Sequence, residues 1–256
     1  MLSRLSRTLE GRVALVTGAA SGMGRATAYV LSDLGARVGL LDRSESVTEA
    51  VSAIKADGGV AAGWELDVTD ADACARVVEQ ARRQLGSVDV LINNAGVSFP
   101  APIDAPDFDQ SWDATLAVNL TAYARMVRLC LDDLTRAGEG RVVNVASTEG
   151  LGATGFISAY TASKHGVIGL TRSLAVELGR RGMTVNCVCP GPIHTGMTAI
   201  ISDEAKERFA RRRVPLRRYG DPEEVAQAIA SLVLSAASYI NGAVLAVDGG
   251  LTVQNT

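Results

Sequence analysis

The 256-residue sequence is poor in aromatics, at 4%, and holds only two histidines and four cysteines. His165 and His194 with Cys74, Cys130, Cys187 and Cys189 include no C-x-x-C pair. Neither a zinc cluster nor a disulfide framework is expected, and the thiols read as reduced and mostly buried. A surplus of positive charge is also missing. With 25 Lys and Arg against 28 Asp and Glu the net charge is -3, which argues against a nucleic-acid footprint. No apolar run approaches the roughly 20 residues of a membrane span. Residues 1–9 are basic but too short and interrupted for a secretory or transit signal, so they are expected to form a flexible N-terminal lead. The expectation is a soluble, cytoplasmic chain with no nucleic acid, membrane or metal among its partners.

Hydrophobic residues make up 47% of the chain and charged residues 21%, a balance that suits helices packed closely on a buried sheet. The length fits one large α/β domain, read here as residues 10–256. Short aliphatic runs alternate with longer amphipathic ones, which predicts crossover units on a parallel sheet. Strands are expected at Val13–Thr17, Arg37–Leu41, Val60–Leu66, Val88–Ile92, Gly140–Ala146, Thr184–Val188 and Ala243–Val247. Helices are expected at Gly22–Leu34, Val47–Ala56, Ala71–Leu85, Phe108–Leu134, Ser158–Arg180 and Pro222–Leu234, the last opened by Asp221 as N-cap and Pro222 in the first turn.

The first strand runs into Thr17-Gly18-Ala19-Ala20-Ser21-Gly22-Met23-Gly24 and then a helix. Glycines there keep the turn tight and let a pyrophosphate approach the amides at the positive end of the helix. A plain strand-to-helix turn can look similar, but the second strand leads to Asp42, about 20 residues further on, where an acid can accept from the ribose hydroxyls and repel a 2′-phosphate. Arg43 could instead grip that phosphate. Asp42 comes first and Ser21 brings no positive charge, so NAD is expected over NADP.

Tyr160 and Lys164 begin a helix four residues apart and so share a face. A free phenol titrates near ~10, and a nearby ammonium favours the phenolate. Ser147 follows an apolar strand, which places its hydroxyl at the C-terminal edge of the sheet, where open parallel sheets hold ligands. Asn119 sits in the long helix among Leu116, Val118 and Leu120; a buried amide needs partners, and a kinked helix binding water or Lys164 would supply them. Each residue alone has an ordinary reading, as interface aromatic, solvated charge, cap or helix irregularity. The joint spacing separates them from it.

T-G-x-x-x-G-x-G at 17–24, N-N-A-G at 93–96, Asn119, Ser147 and Y-x-x-x-K at 160–164 together resemble the short-chain dehydrogenase/reductase family over residues 10–250. The resemblance implies a single-domain Rossmann fold, a doubly wound seven-stranded parallel sheet with a lid at about 193–215. It implies Tyr160 as acid/base, Lys164 as the partner that binds the nicotinamide ribose and lowers the tyrosine pKa, Ser147 as the holder of the substrate oxygen, and Asn119 as the end of a proton relay through water. Asp67 and Val68 should flank the adenine, and Asn93, Asn94, Ala95 and Gly96 should secure the central strand beside the cofactor. Pro190, Gly191, Ile193 and Thr195 fall in the segment that touches the carboxamide. A homotetramer built on the helices at 108–134 and 158–180, with Asp248-Gly249-Gly250 helping to pack subunits, is implied in the same way.

Two features lie outside that pattern. Glu149 either faces the pocket, where it would suit a hydroxyl-rich or cationic substrate and disfavour an anionic one, or is a rim residue in solvent. The basic stretch Lys206–Arg218 is ordinarily a solvated helix face, yet Arg211, Arg212 and Arg213 could hold the phosphates of coenzyme A or an acidic carrier. The leading expectation is an NAD-dependent oxidoreductase interconverting a small secondary alcohol and its ketone. The alternatives are a 3-oxoacyl thioester reductase and, from another class, a noncatalytic dinucleotide sensor.

Overall fold

Aliphatic runs bounded by turns become strands covered on both faces. β1 (Val13–Thr17) is buried at every residue. With β2 (Arg37–Asp42), β3 (Val60–Glu65), β4 (Val90–Asn93), β5 (Arg141–Val145), β6 (Thr184–Pro190) and β7 (Val244–Val247) it forms one seven-stranded sheet in the order β3-β2-β1-β4-β5-β6-β7. Every adjacent pair is parallel. The structure, a computed structural model, describes residues 7–254. Of the expected lead, residues 1–6 lie outside the described residues; Leu9 is buried and its amide donates to the Leu34 carbonyl.

The connecting helices are α1 (Gly22–Asp33), α2 (Val47–Ala56), α3 (Ala71–Leu85), α4 (Phe108–Leu116), α5 (Ala122–Leu129), α6 (Leu131–Arg136), α7 (Ser158–Leu178), α8 (Asp203–Arg213) and α9 (Pro222–Val233). Apolar residues of α1, α2 and α9 share one core cluster with β1 and β2, and those of α3, α5, α6 and α7 share another on the opposite face. Strand order reverses between β1 and β4, so the crevice of the sheet opens at their C-terminal ends.

The expected strands and helices appear in order, with one correction and two additions. The helix expected over 108–134 is interrupted by one turn of π-helix at Ala117–Thr121 and again at Cys130. The basic stretch expected in or after a lid is α8 as far as Arg213; its apolar content is too low to show a helical stripe, but Ser202 caps it and three arginines fill its last turn, where the dipole favours cations. The edge strands are not buried on both faces: Leu245 and Ala246 of β7 are exposed, as is Val60 of β3. Among the described residues no helix is long and apolar enough to cross a membrane.

Polar side chains cross-link the middle of the sheet. Asn93 on β4 donates to Asn144 Oδ1 on β5 at 2.9 Å, and Asn144 donates to Thr171 Oγ1 on α7 at 3.0 Å. All three are fully buried. Replacing Asn144 by Ala leaves Asn93 Nδ2 with only a long bond to the Tyr123 carbonyl, at 3.5 Å, and opens a hole, so Asn144→Ala should lower the unfolding free energy by about 3 kcal/mol. Urea unfolding checks this; a loss like that of an exposed polar residue would show that the network carries little.

Candidate active site

The π turn is where the site begins. Asn119 is fully buried in it and turns its amide onto the loop after β4: Oδ1 accepts from Val97 N at 2.9 Å, and Nδ2 donates to Val97 O at 2.9 Å and to Ser163 Oγ at 3.0 Å. Ser163 in turn donates to the Tyr160 carbonyl at 2.7 Å. The expected partner Lys164 is not among these contacts. Both amide protons are engaged, and a widened turn is the usual accommodation of such an inserted side chain.

Tyr160 lies in the first turn of α7, and the Lys164 ammonium sits 5.5 Å from its ring centroid. Lys164 is buried and donates to the Val145 carbonyl at the end of β5, at 2.8 Å. Burial lowers its pKa to about 8; Cys187 and Cys189 of β6, with sulfurs 3.8 Å apart, pull weakly the other way. Burial raises the Tyr160 phenol, a hydrogen bond with Ser147 opposes that rise, and the Glu149 carboxylate adds to it. The i, i+4 spacing alone suggested a phenol brought down by its lysine; here burial sets the direction, and Lys164 is not among the groups that shift the phenol. Ser147, buried after β5, also accepts from Glu149 N at 3.1 Å.

Two residues of this cluster escaped the sequence reading. Tyr123 is fully buried, carries Lys164 Nζ at 5.6 Å from its ring centroid, and donates to Ala95 O at 3.1 Å and Val145 O at 3.2 Å. Its position one turn after Asn119 on the same helix face was the available signal. Arg125 donates to Val68 O at 3.0 Å and Thr69 O at 2.9 Å, bracing the loop after β3.

The glycine turn closes against the β4 loop. Asn94 Nδ2 donates to Thr17 O at 2.9 Å and Gly18 O at 3.1 Å, and Thr17 Oγ1 accepts from the amides of Asn94 and Ala95. Gly18 has φ +68°, and a Cβ on Gly24 would lie 2.0 Å from Gly18 O, so neither position has room for a side chain. Asp42 accepts from Ala20 N at 3.0 Å and Ser44 N at 3.0 Å. A cavity of about 130 Å³ beside it is lined by Gly18, Asp42, Arg43, Asp67, Val68, Ala95 and Gly96. Asp67 is held below the ordinary carboxylate range chiefly by Thr69, whose hydroxyl donates to it at 2.7 Å. Ser21 is exposed before α1, and Met23 packs on the core. The cradle, the acid at the end of β2 and the cavity lined by Asp42, Asp67 and Val68 fit an adenine dinucleotide.

Pro190 is the buried end of β6 and Gly191 N donates to Val247 O at 3.0 Å. Ile193 is buried and bridges to Gly220, while the Thr195 methyl lies 3.3 Å from where a Gly22 Cβ would stand, beside the glycine turn. Glu149 is half-buried: Thr154 Oγ1 donates to its Oε1 at 2.7 Å and Thr161 Oγ1 to its Oε2 at 3.0 Å. Arg211 pairs with Glu207 at 2.6 Å, and Arg212 and Arg213 are exposed. Phe156 has φ +69° and is 71% exposed; its carbonyl accepts from Ala101 N at 2.9 Å, joining two loops of the rim. Among the described residues no three His, Cys, Asp or Glu side chains cluster as metal ligands.

A family model described as enoyl-(acyl carrier protein) reductase matches residues 18–252. A 3-oxoacyl-[acyl-carrier-protein] reductase of Thermotoga maritima is 39% identical, over 96% of this chain and 99% of its own. The cis-4-hydroxycyclohexanecarboxylate dehydrogenase of Sinomonas cyclohexanicum is 42% identical, over 94% of this chain and 96% of its own. Among solved structures, a provisionally assigned NAD(P)-dependent gluconate 5-dehydrogenase from Beutenbergia cavernae, with bound NADP at low occupancy, superposes with a TM-score of 0.91 at 38% identity, covering 97% of this chain and 99% of that one.

Because burial disfavours the ammonium, the folded protein releases the Lys164 proton near pH 8, while the unfolded chain keeps it to 10.5. The unfolded state binds more protons in that window, so Lys164 makes stability rise with pH between those values. Lys164→Met should flatten that rise and leave the rest of the profile in place, as read by urea unfolding across the window; an unchanged slope would place the lysine in water.

Proposed function

The chain belongs to the short-chain dehydrogenase/reductase family and is an oxidoreductase, and from that starting point we propose that it interconverts a secondary alcohol and its ketone with Tyr160 as general acid/base. The observation that carries this reading is Tyr160 with its ring centroid 5.5 Å from the buried Lys164 ammonium and with Ser147 lowering its phenol pKa against the rise from burial, at the sheet edge that also holds the glycine turn. Ser147 and Tyr160 hold the substrate oxygen between two hydroxyls. Tyr160 takes the carbinol proton in oxidation and returns it in reduction. Lys164, pinned to the Val145 carbonyl, presents its ammonium under the phenol and toward the nicotinamide ribose. The dinucleotide, when bound, accepts or supplies the hydride. Asn119 has both amide protons engaged, so it serves the proton route by holding the π turn against Val97, with water passing along the neighbouring backbone.

Gly18, Gly22 and Gly24 would cradle the pyrophosphate, Asp42 would meet the adenosine ribose, and Asp67 and Val68 would flank the adenine. We assign the dinucleotide as NAD, because a 2′-phosphate would crowd a carboxylate already fixed on Ala20 and Ser44. Arg43 in the same cavity, and the NADP bound to the gluconate 5-dehydrogenase neighbour, weigh the other way. Residues 193–215 act as a lid, with Met197, Ile200 and Ile201 exposed on it and Thr195 against the glycine turn. A homotetramer through α4–α6 and α7 accompanies this reading; Val176 on α7 is 83% exposed.

A second reading, reduction of 3-oxoacyl thioesters, is favoured by the identity to a carrier-protein reductase and by the arginines that end α8. One panel separates the readings: cofactor reduction or oxidation with neutral alcohols and ketones and with acyl thioesters, each with NAD and NADP. Higher kcat/KM with NADP would overturn the assignment of NAD, and exclusive turnover of thioesters the first reading.

Tyr160→Phe removes the only proton the phenol can exchange, so kcat should fall by roughly a hundredfold or more while cofactor affinity holds. Turnover that survives intact in Tyr160→Phe would remove tyrosine from the mechanism.

A further inference from the structure

We propose that Glu149 makes the substrate pocket a charge filter, which admits uncharged or cationic alcohols and turns away those that bring a carboxylate or phosphate into the pocket. This rests on the reading of Ser147 and Tyr160 as the groups that hold the substrate oxygen.

Four observations converge. Glu149 stands two residues past Ser147 and its amide donates to the Ser147 hydroxyl at 3.1 Å, so its backbone is tied to the residue that holds the reacting oxygen. Its two oxygens are each held by a threonine, Thr154 on the rim loop at 2.7 Å and Thr161 on α7 at 3.0 Å, so the charge is fixed in place rather than free to swing into solvent. The Tyr160 phenol feels that charge. No ion pair with Glu149 occurs among the described residues.

Charge composition points the same way. The rim segments 97–107 and 148–160 contain no lysine or arginine, and their ionisable residues besides Tyr160 are Asp104, Asp107 and Glu149. On α7, Lys164 is buried and directed at the Val145 carbonyl, and His165 turns its ring onto the Thr161 carbonyl. An anionic group entering between these segments therefore meets a fixed like charge with no cation from either of them, an arrangement disfavoured most where water is excluded. Hydroxyl or amide donors meet an acceptor with lone pairs to spare. Glu149 is thus more than a brace between the rim loop and α7, since a neutral residue could brace equally well.

The test uses one ring with three charges: cis-4-hydroxycyclohexanecarboxylate, its carboxamide and its aminomethyl analogue, with kcat/KM measured for each. The same compounds are titrated against the enzyme with reduced cofactor bound, following cofactor fluorescence, so that discrimination is read in binding as well as in turnover. The expected order is amine and amide above acid, by roughly tenfold or more. In Glu149→Gln the ratio of amide to acid should move toward unity, mainly through the acid's KM and Kd. Thr154→Val keeps the charge and removes one brace, so it should keep the native ratio whatever happens to overall rate. An acid accepted as well as the amide, or a ratio unmoved in Glu149→Gln, overturns the filter. No turnover of any alcohol or ketone, with charge-ordered binding intact, counts against the proposed reaction and leaves the filter standing.

Discussion

The hydrogen bond from the Lys164 ammonium to the Val145 carbonyl is the joint on which the site hangs. It ties α7 to the C-terminal end of β5, and Tyr123 adds a second donor to the same carbonyl from the helix beyond the π turn. Three elements that are distant in sequence therefore meet at one oxygen atom. A buried ammonium survives only where such an acceptor and an electron-rich surround repay part of its lost hydration, and here two tyrosine rings and a backbone dipole do so. Everything that needs the Tyr160 hydroxyl in a fixed place inherits its position from this arrangement.

Around that joint the backbone is held by side-chain amides rather than by the sheet ladder alone. Asn94 and Asn119 each act as a two-sided clip, one on the glycine turn and one on Val97, and the Asn93–Asn144–Thr171 line runs beneath them. Such buried bonds are costly to break, which confines the loops after β1 and β4 to one relative placement. The crevice between them is thereby preformed for a flat, charged ligand.

Most of this architecture was legible in the sequence because its signals are local. Buried parallel strands read as aliphatic runs, so β1 appeared with its observed bounds and the others within a few residues. The glycine turn, Asp42, Ser147 and the Tyr160–Lys164 pair announced themselves by spacing from strand ends. What stayed hidden depends on contacts across the fold. The π turn exists because Asn119 reaches a loop 22 residues away, and no periodicity carries that information. The partners of Glu149, the role of Tyr123 and the net rise at Tyr160 likewise follow from burial, which neighbouring letters do not encode.

Phe156 shows what such a rim demands of its own chain. A phenylalanine at φ +69° occupies a conformation that glycine adopts freely and that other L residues reach only at a cost of about 1 kcal/mol or more. The ring is open to solvent, so packing does not repay that cost; the Ala101 amide on its carbonyl is the visible compensation. A glycine there would relieve the strain but lose the ring and loosen the loop that braces Glu149. Thermal robustness and sharp discrimination thus draw on opposite choices at a single codon, and a search for hardier variants of this chain would pass through that residue first.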